Sequence, residues 1–372
     1  MNSKISSRQF LRMMILFQLG SAIAIPLATS AKQDAWIVIL MGMTFGTILT
    51  FMYVNIFNKT EGNNLGKILE ELLGKRLGKF ISLLYIAYFL YTANRVINDF
   101  RIIIKSTALP QTPNIMIIFI MSIPVIYCVY LGIEAMGRGA VLLYKTVMFT
   151  VVILFGFAFI NKLPKLERLE PVLEYGWGPI IKVLFPLAIA VPYGETITFM
   201  NIYSNVTDKD AHKIRKTALF SNIISGLILA LTSAINVAII SATIVEISIF
   251  PVLKTVGSIQ IGTFIQRLDV LAILLLMLGG FYKILIFFYC SVEMTMTVFE
   301  VDLKHRNILI VILGIIMIFL SYFLMVNPIQ HFHIGLEIVP LYVHVPLQFI
   351  IPGILFIISV AGKKNRYSKT LR

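Results

Sequence analysis

Ten long apolar runs, separated by short polar connections, divide this sequence almost from end to end. The hydrocarbon core of a bilayer is about 30 Å thick, so a helix needs about 20 apolar residues to cross it. The runs lie at 8–30, 35–57, 79–107, 114–132, 139–160, 179–204, 217–245, 268–298, 307–326 and 341–361. They predict an all-α polytopic membrane protein with ten transmembrane helices, formed as a single domain over residues 1–372.

Composition and charge support a lipid environment. The chain is 58% hydrophobic and 13% charged, whereas soluble domains are about 25% charged. The net charge is +14, but Lys and Arg concentrate in alternate connections and in a basic tail at 362–372, a pattern that sets membrane orientation. We therefore predict that both termini and this tail are cytoplasmic. No basic groove with interleaved aromatic residues is evident, so no nucleic-acid partner is expected.

Residue types that support catalysis or metal binding are scarce. Cys128 and Cys290 each lie in an apolar run without a CxxC partner. His331 and His333 form a short pair in a predicted connection, where they supply too few ligands for zinc and are expected to be solvated. The sequence shows neither a nucleophile with a base nor a Gly-rich phosphate loop. We predict no metal, no cofactor and no enzymatic activity.

Two apolar runs, the first and the sixth, are interrupted near mid-membrane. Gly20, Ser21 and Pro26 break the first, and the segment Pro186 to Thr196 breaks the sixth. Helical bonding fails at Gly and Pro, and free backbone groups are tolerated in a membrane only where they line a cavity. Two packing kinks are the alternative, since Gly and Pro are common in membrane helices. The matched positions favour a binding site.

The arrangement resembles the five-plus-five inverted repeat of LeuT-type transporters, with broken helices 1 and 6. The two repeats would be residues 8–160 and 179–361. The likeness rests on the number of spans, their orientation and the positions of the breaks, because the two halves share no visible sequence similarity.

Ionisable residues inside the apolar runs are functional candidates, because burying them in a bilayer is unfavourable. Arg95 and Asp99 lie four residues apart and are predicted to pair on one helix face as a structural pair. Glu195 follows the sixth-run break, where it could meet the ammonium group of a ligand or free backbone amides. Lys283 and Glu293 lie ten residues apart on the eighth run, so they could pair only if that helix curves.

Lys145, in the fifth run, has two interpretations. Its ammonium group or proton could take the place that sodium occupies in sodium-driven relatives of the LeuT-type fold. Alternatively, its side chain reaches the membrane interface as long basic side chains do. The sequence leaves both open.

Several motifs of this chain resemble the B subunit of bacterial spore germinant receptors. That group is the spore permease family of the amino acid–polyamine–organocation superfamily. The motifs are Gly20-Ser21 leading to Pro26, Asp34-Ala35-Trp36, Leu109-Pro110-Gln111-Thr112-Pro113, Gly132-Ile133-Glu134-Ala135-Met136-Gly137-Arg138 and Arg267-Leu268-Asp269. The resemblance covers essentially the whole chain. It implies a nutrient-sensing, permease-like subunit in the inner membrane of the spore, with a larger membrane A subunit and a lipoprotein C subunit as partners.

The resemblance also implies where a small nutrient such as an amino acid would bind. The expected site residues, at the unwound parts of the first and sixth spans, are Gly20, Ser21, Ala22, Pro192, Tyr193, Gly194 and Glu195. Tyr91 is a further candidate for covering the site. Many relatives have Thr-Gly where this chain has Ser21-Ala22, which narrows the room beside the backbone. The alternative function is a proton-coupled amino-acid transporter with Lys145 or Glu195 as proton carrier.

Overall fold

The computed structural model describes residues 4–61, 64–207, 211–259 and 268–369, with side chains described up to 361. It is 83% helical and has no strands in these ranges, which confirms the predicted all-α polytopic fold. Arg267, the side chains of 362–369 and residues 370–372 of the predicted basic tail lie outside what is described.

The α-helices follow the predicted apolar runs closely. They are α1 (Ser7–Leu19), α2 (Ala35–Lys59), α3 (Leu65–Leu73), α4 (Lys75–Thr107), α5 (Asn114–Leu131), α6 (Ile133–Ile160), α7 (Trp177–Val183), α8 (Ala211–Ile240), α9 (Ala242–Glu246), α10 (Pro251–Gly257), α11 (Asp269–Val298), α12 (Arg306–Phe323), α13 (Pro328–His333) and α14 (Ile351–Lys369). In the described part of the chain, eight helical segments are long and apolar enough to cross a membrane. The first and sixth predicted spans are not among them because both are interrupted.

The two breaks occur where Gly and Pro predict them. Helix α1 ends at Leu19, and residues 20–28 form turns before a 3₁₀ helix, Thr29–Asp34. Helix α7 passes into a π-helical turn, Leu184–Ala188, and the chain continues as a 3₁₀ helix, Gly194–Asn201. The structure therefore confirms broken helices at both places.

The broken segments lie at the centre of the bundle. All of Met13 to Leu19 in α1 is buried, and Phe17 packs against Phe199 of the sixth span and Phe287 of α11. The segments also meet at one end, because the Ile5 N–H donates to the Asn205 carbonyl at 2.9 Å. Exposed apolar side chains on α5, α6 and α12 cover the outside, as expected for faces in contact with lipid.

Several helices begin earlier than predicted, as α8 does at Ala211 rather than 217. The fifth long helix begins at Ile133 rather than 139, so Glu134 and Arg138 pair across its first turns at 2.9 Å. The tenth begins at Pro328 rather than 341. His, Glu and Pro residues made this stretch resemble a connection, but π-helical segments at Ile334–Ile338 and Pro340–Ile350 keep it helical.

Candidate functional site

A small cavity lies where the two breaks meet. Its volume is about 50 Å³, enough for several water molecules or part of a small polar ligand. Its walls come from the first break, the sixth break, α4 and the first half of the tenth span. The polar or ionisable side chains in these walls are Ser21, Tyr91, Thr92, Arg95, Asp99, Glu195 and His344.

A buried ion pair joins the two breaks beside this cavity. The Lys283 Nζ lies 2.6 Å from Glu195 Oε2 and donates to Ser21 Oγ at 3.1 Å. Lys283 comes from the middle of α11, where its side chain is only 1% exposed. One ammonium group therefore contacts both the first and the sixth span, each through a residue next to its break.

Lys283 and Glu293, which could pair only if their helix curved, do not contact each other. Ten residues along a helix separate two positions by about 15 Å, and α11 continues as one helix from Asp269 to Val298. Glu293 instead accepts a hydrogen bond from Arg306 of α12 at 3.2 Å, while Lys283 forms an ion pair with Glu195. Lys283 and Glu293 therefore each pair with a residue of another span.

The predicted pair of Arg95 and Asp99 is also corrected, because both side chains turn to the start of the tenth span. Asp99 Oδ1 lies 2.7 Å from His331 Nε2, and Arg95 Nη2 donates to the His331 carbonyl at 2.7 Å. His331 is 2% exposed, so its expected place in a solvated loop is wrong. A buried carboxylate and a partly buried guanidinium need hydrogen-bonding partners, and α13 supplies them.

A polar network beside the cavity connects α4 with the tenth span. Gln348 Nε2 donates to Tyr88 Oη at 2.7 Å, and Tyr88 Oη lies 3.2 Å from His344 Nδ1. Tyr53 of α2 donates to the Gln348 carbonyl at 2.6 Å. Gly194 is in contact with this network, because a β-carbon at Gly194 would overlap the Gln348 side-chain amide.

A second polar network anchors the broken segments to α2 and α8. Gln18 Nε2 donates to Asn222 Oδ1 at 2.7 Å, and Asn222 Nδ2 donates to Thr50 Oγ1 at 2.9 Å. Thr50 Oγ1 lies 2.9 Å from Thr196 Oγ1, just after the sixth-span break. These buried groups satisfy one another, so we assign the network a structural role.

The structure brings some predicted site residues together and separates others. Ser21, Tyr91 and Glu195 line the cavity. Gly20 packs against Lys283, where a β-carbon would lie 2.8 Å from Lys283 Cδ. Ala22 lines a different cavity on the other side of the first break.

The remaining predicted residues do not line this cavity. Pro192, Tyr193 and Gly194 are buried behind it, with Tyr193 packed against Gly46 of α2. Lys145 is exposed on α6 and is not brought to the site. Its exposed position fits the interpretation of a side chain that reaches the membrane interface.

The sequence did not identify several cavity residues on the tenth span and α4 as members of the site, among them His344, Thr92 and Arg95. The signal available was the number of polar residues in an apolar run, since polar groups inside a membrane face the protein interior or a cavity. Which of them faces the cavity depends on helix rotation.

The class of protein follows from the fold. The solved structure of MhsT in complex with L-phenylalanine superposes with a TM-score of 0.62 at 14% sequence identity, covering 96% of this chain and 86% of that chain. At this identity the likeness shows the fold only, and it agrees with the interrupted first and sixth spans. The protein is a multi-pass membrane protein with the LeuT-type fold.

Sequence comparisons identify the family. A family model described as "Spore germination protein" matches residues 4–328. The chain is 34% identical to spore germination protein KB of Bacillus subtilis (strain 168) over 98% of this chain and 96% of that protein. It is 27% identical to spore germination protein A2 of the same organism over 86% of each. The chain belongs to the spore permease family and is a B-type subunit of a spore germinant receptor.

Proposed function

We propose that this subunit senses a nutrient by binding a small amino acid in the cavity between the two breaks. The observation that carries the proposal is the Lys283–Glu195 pair, because it couples both broken spans at the wall of that cavity. A ligand that contacts Glu195 or Ser21 would directly change how the two broken spans are held together through Lys283. Interrupted helices at midplane are where LeuT-type proteins place their substrates.

The charges around the cavity support a zwitterionic ligand. Asp99 and Glu195 supply carboxylates, and Arg95 supplies a guanidinium group in the same wall. An α-amino acid carries one ammonium and one carboxylate group, so it can complement both kinds of charge. The volume of about 50 Å³ favours a small side chain.

In this proposal the ligand signals by preferring one conformation of the bundle, because a ligand that binds two states equally shifts nothing. The α4 contacts with His331 hold the tenth span over the cavity. The partners would be the A subunit and the lipoprotein C subunit, in the inner membrane of the spore, as the family resemblance implies. Both termini would be cytoplasmic, as the distribution of Lys and Arg predicts.

A proton-coupled amino-acid transporter is the second candidate function. The observation in its favour is the buried carboxylate of Glu195 beside the cavity, which can take up a proton when its contact with Lys283 is broken. Lys145, the other carrier considered, is exposed on α6.

One preparation tests both functions. The purified chain is placed in liposomes preloaded with unlabelled L-alanine, and uptake of labelled L-alanine is followed, with thermal unfolding measured in parallel over a panel of amino acids. Stabilisation by an amino acid without accumulation supports the receptor, and accumulation supports the transporter. No stabilisation by any amino acid would contradict both.

A matched pair of variants tests whether the amino acid binds in this cavity. Glu195→Gln should lose stabilisation by the amino acid. Glu134→Gln, at an exposed position of α6, should keep it. Equal behaviour of the two variants would mean that the ligand binds elsewhere.

A further inference from the structure

The outward face of α6 is poorly covered by the rest of the chain. In the most apolar stretch of this helix only 22% of the residues are buried, the lowest share among the eight long apolar helices of the described ranges. Leu142 and Phe149 are 68% and 67% exposed. We use the name α6 face for the surface formed by Leu142, Lys145, Thr146, Phe149 and Gly156.

A lysine lies in the middle of the α6 face. Lys145 is exposed, and it follows the start of α6 at Ile133 by twelve residues and precedes the end at Ile160 by fifteen. At about 1.5 Å per residue these distances are about 18 Å and 22 Å, so its Cα atom lies near the centre of a bilayer about 30 Å thick. A lysine that faces lipid can extend its side chain toward an interface, but its charge then has no partner.

The described chain supplies no counter-charge for this lysine. Lys145 forms no hydrogen bond or ion pair with any described residue. Glu134, the only acidic residue in the sequence of α6, pairs with Arg138 at 2.9 Å. Ionisable side chains in membrane spans usually face the protein interior or pair with one another. An exposed lysine in the middle of a span therefore indicates a carboxylate from outside this chain.

A second cation adds positive charge on this side of the molecule. The guanidinium group of Arg12, in α1, lies 5.9 Å from the ring centre of Tyr144, the residue before Lys145. Among the described residues, no carboxylate lies within ion-pair distance of Arg12. A neighbouring helix with an Asp or Glu side chain complements this positive potential, whereas a wholly apolar helix leaves it uncompensated.

The α6 face also has room for a closely packed helix. Nothing lies within 4 Å of a β-carbon placed at Gly139 or Gly156, and small residues let the backbones of two membrane helices approach each other. Leu142 and Phe149 provide apolar contacts about one turn on either side of Lys145. This pattern is complementary to an apolar helix with one central carboxylate.

We propose that the α6 face is the docking surface for a transmembrane helix of another protein, and that this helix carries one Asp or Glu that pairs with Lys145. A second copy of this chain fits less well. Its exposed Glu337 already lies 3.3 Å from His333 and is close to the start of the tenth span, whereas Lys145 lies in the middle of α6.

The position of this surface connects the partner helix with the first break. Gly137 of α6 packs against Ile5 and Gln9 at the start of the first span, and α1 ends at the break after Leu19. A helix docked on α6 is therefore separated by one helix from the segment that unwinds. The docking surface itself does not rest on the proposed nutrient binding.

The test uses the purified full chain in liposomes, with the photoreactive residue benzoylphenylalanine in place of Phe149. The probes are synthetic poly-leucine helices of about 20 residues, with lysines at both ends and either Glu or Gln at the centre. The Glu peptide should be crosslinked roughly fivefold more than the Gln peptide, because polar contacts between helices stabilise their association in a membrane. With the photoreactive residue at Phe319, exposed on α12, the two peptides should give equal yields.

Two substitutions connect the preference to Lys145. Lys145→Leu should abolish the preference for the Glu peptide, while Lys182→Leu, the same change at an exposed position of α7, should keep it. Lys145→Glu should reverse the preference, so that a peptide with a central lysine is crosslinked more than the Glu peptide.

Three results would overturn the proposal. Equal crosslinking of the Glu and Gln peptides at position 149 would mean that the α6 face does not select a carboxylate. An unchanged preference in Lys145→Leu would mean that another residue selects it. Crosslinking of the chain to itself that Glu337→Gln abolishes would assign the α6 face to a second copy. Amino-acid binding is measured separately, so its failure would contradict the proposed function alone.

Discussion

At the scale of single residues, the buried Lys283 connects α11 with both broken spans. Lys283 and Glu195 are each less than 5% exposed at their side chains and lie on different helices. Removing water from a charge is strongly unfavourable unless a partner with good geometry compensates. The pair therefore makes the position of the two breaks depend on α11.

Lys283→Met tests this dependence. It leaves Glu195 buried without a counter-charge, so we expect a loss of about 3–5 kcal/mol in stability. The loss appears as a lower thermal unfolding temperature of the purified protein. Lys304→Met is the control, because Lys304 pairs with Asp302 at exposed positions and should change little.

The double variant Lys283→Met with Glu195→Gln should recover much of that stability, since no uncompensated charge remains. A double variant as unstable as Lys283→Met alone would show that the lysine acts through packing rather than through charge.

His331 is the second residue with a large expected effect. His331→Ala removes the contact with Asp99, which ties the start of the tenth span to α4 over the cavity. We expect faster hydrogen exchange across 327–339, followed by mass spectrometry. His333→Ala, at the more exposed neighbour, should leave exchange unchanged. Equal hydrogen exchange in both variants would contradict the proposal that His331 holds the start of the tenth span against α4.

At the scale of secondary-structure elements, the breaks were predictable because they arise from residues that cannot sustain helical bonding. Pro26, Pro186, Pro192 and Gly194 disrupt helices through their own backbone chemistry, whatever they contact. The start of the tenth span was not predictable in the same way. Its π-helical turn at Ile334–Ile338 packs at Gly335 against Arg95 of α4, so this turn depends on a contact with another helix.

Gly194→Leu tests the sixth-span break. A side chain at Gly194 would overlap the Gln348 amide and displace the tenth span from the cavity. We expect loss of amino-acid binding, measured by thermal stabilisation, with normal insertion into the membrane. Gly139→Leu is the matched control, because nothing lies within 4 Å of a β-carbon at Gly139 on α6. Unchanged ligand affinity in Gly194→Leu would contradict the proposed site.

At the scale of the whole molecule, apolar side chains on α5, α6 and α12 face outward while polar groups gather around the breaks. Apolar side chains outside and polar groups inside are expected where lipid rather than water surrounds the helices. The division into repeats at 8–160 and 179–361 stays a prediction.

The membrane orientation is directly testable. With Cys128 and Cys290 replaced by Ser, a cysteine at Lys304 should be protected from a membrane-impermeant maleimide in intact cells. A cysteine at Lys165 should react. Both positions lie in connections: Lys304 lies between α11 and α12, and Lys165 lies between α6 and α7. The opposite pattern would reverse the predicted cytoplasmic location of the termini.

The apolar runs, their approximate limits and the two breaks can be predicted from the amino-acid sequence, because they depend on side-chain hydropathy and on the local backbone chemistry of Gly and Pro. Tertiary structure alone decided the partners: Lys283 with Glu195, His331 with Asp99, and Arg306 with Glu293. Those contacts join residues distant in sequence, and they depend on how each helix rotates and packs against its neighbours. Lys145 points outward and Lys283 inward for the same reason.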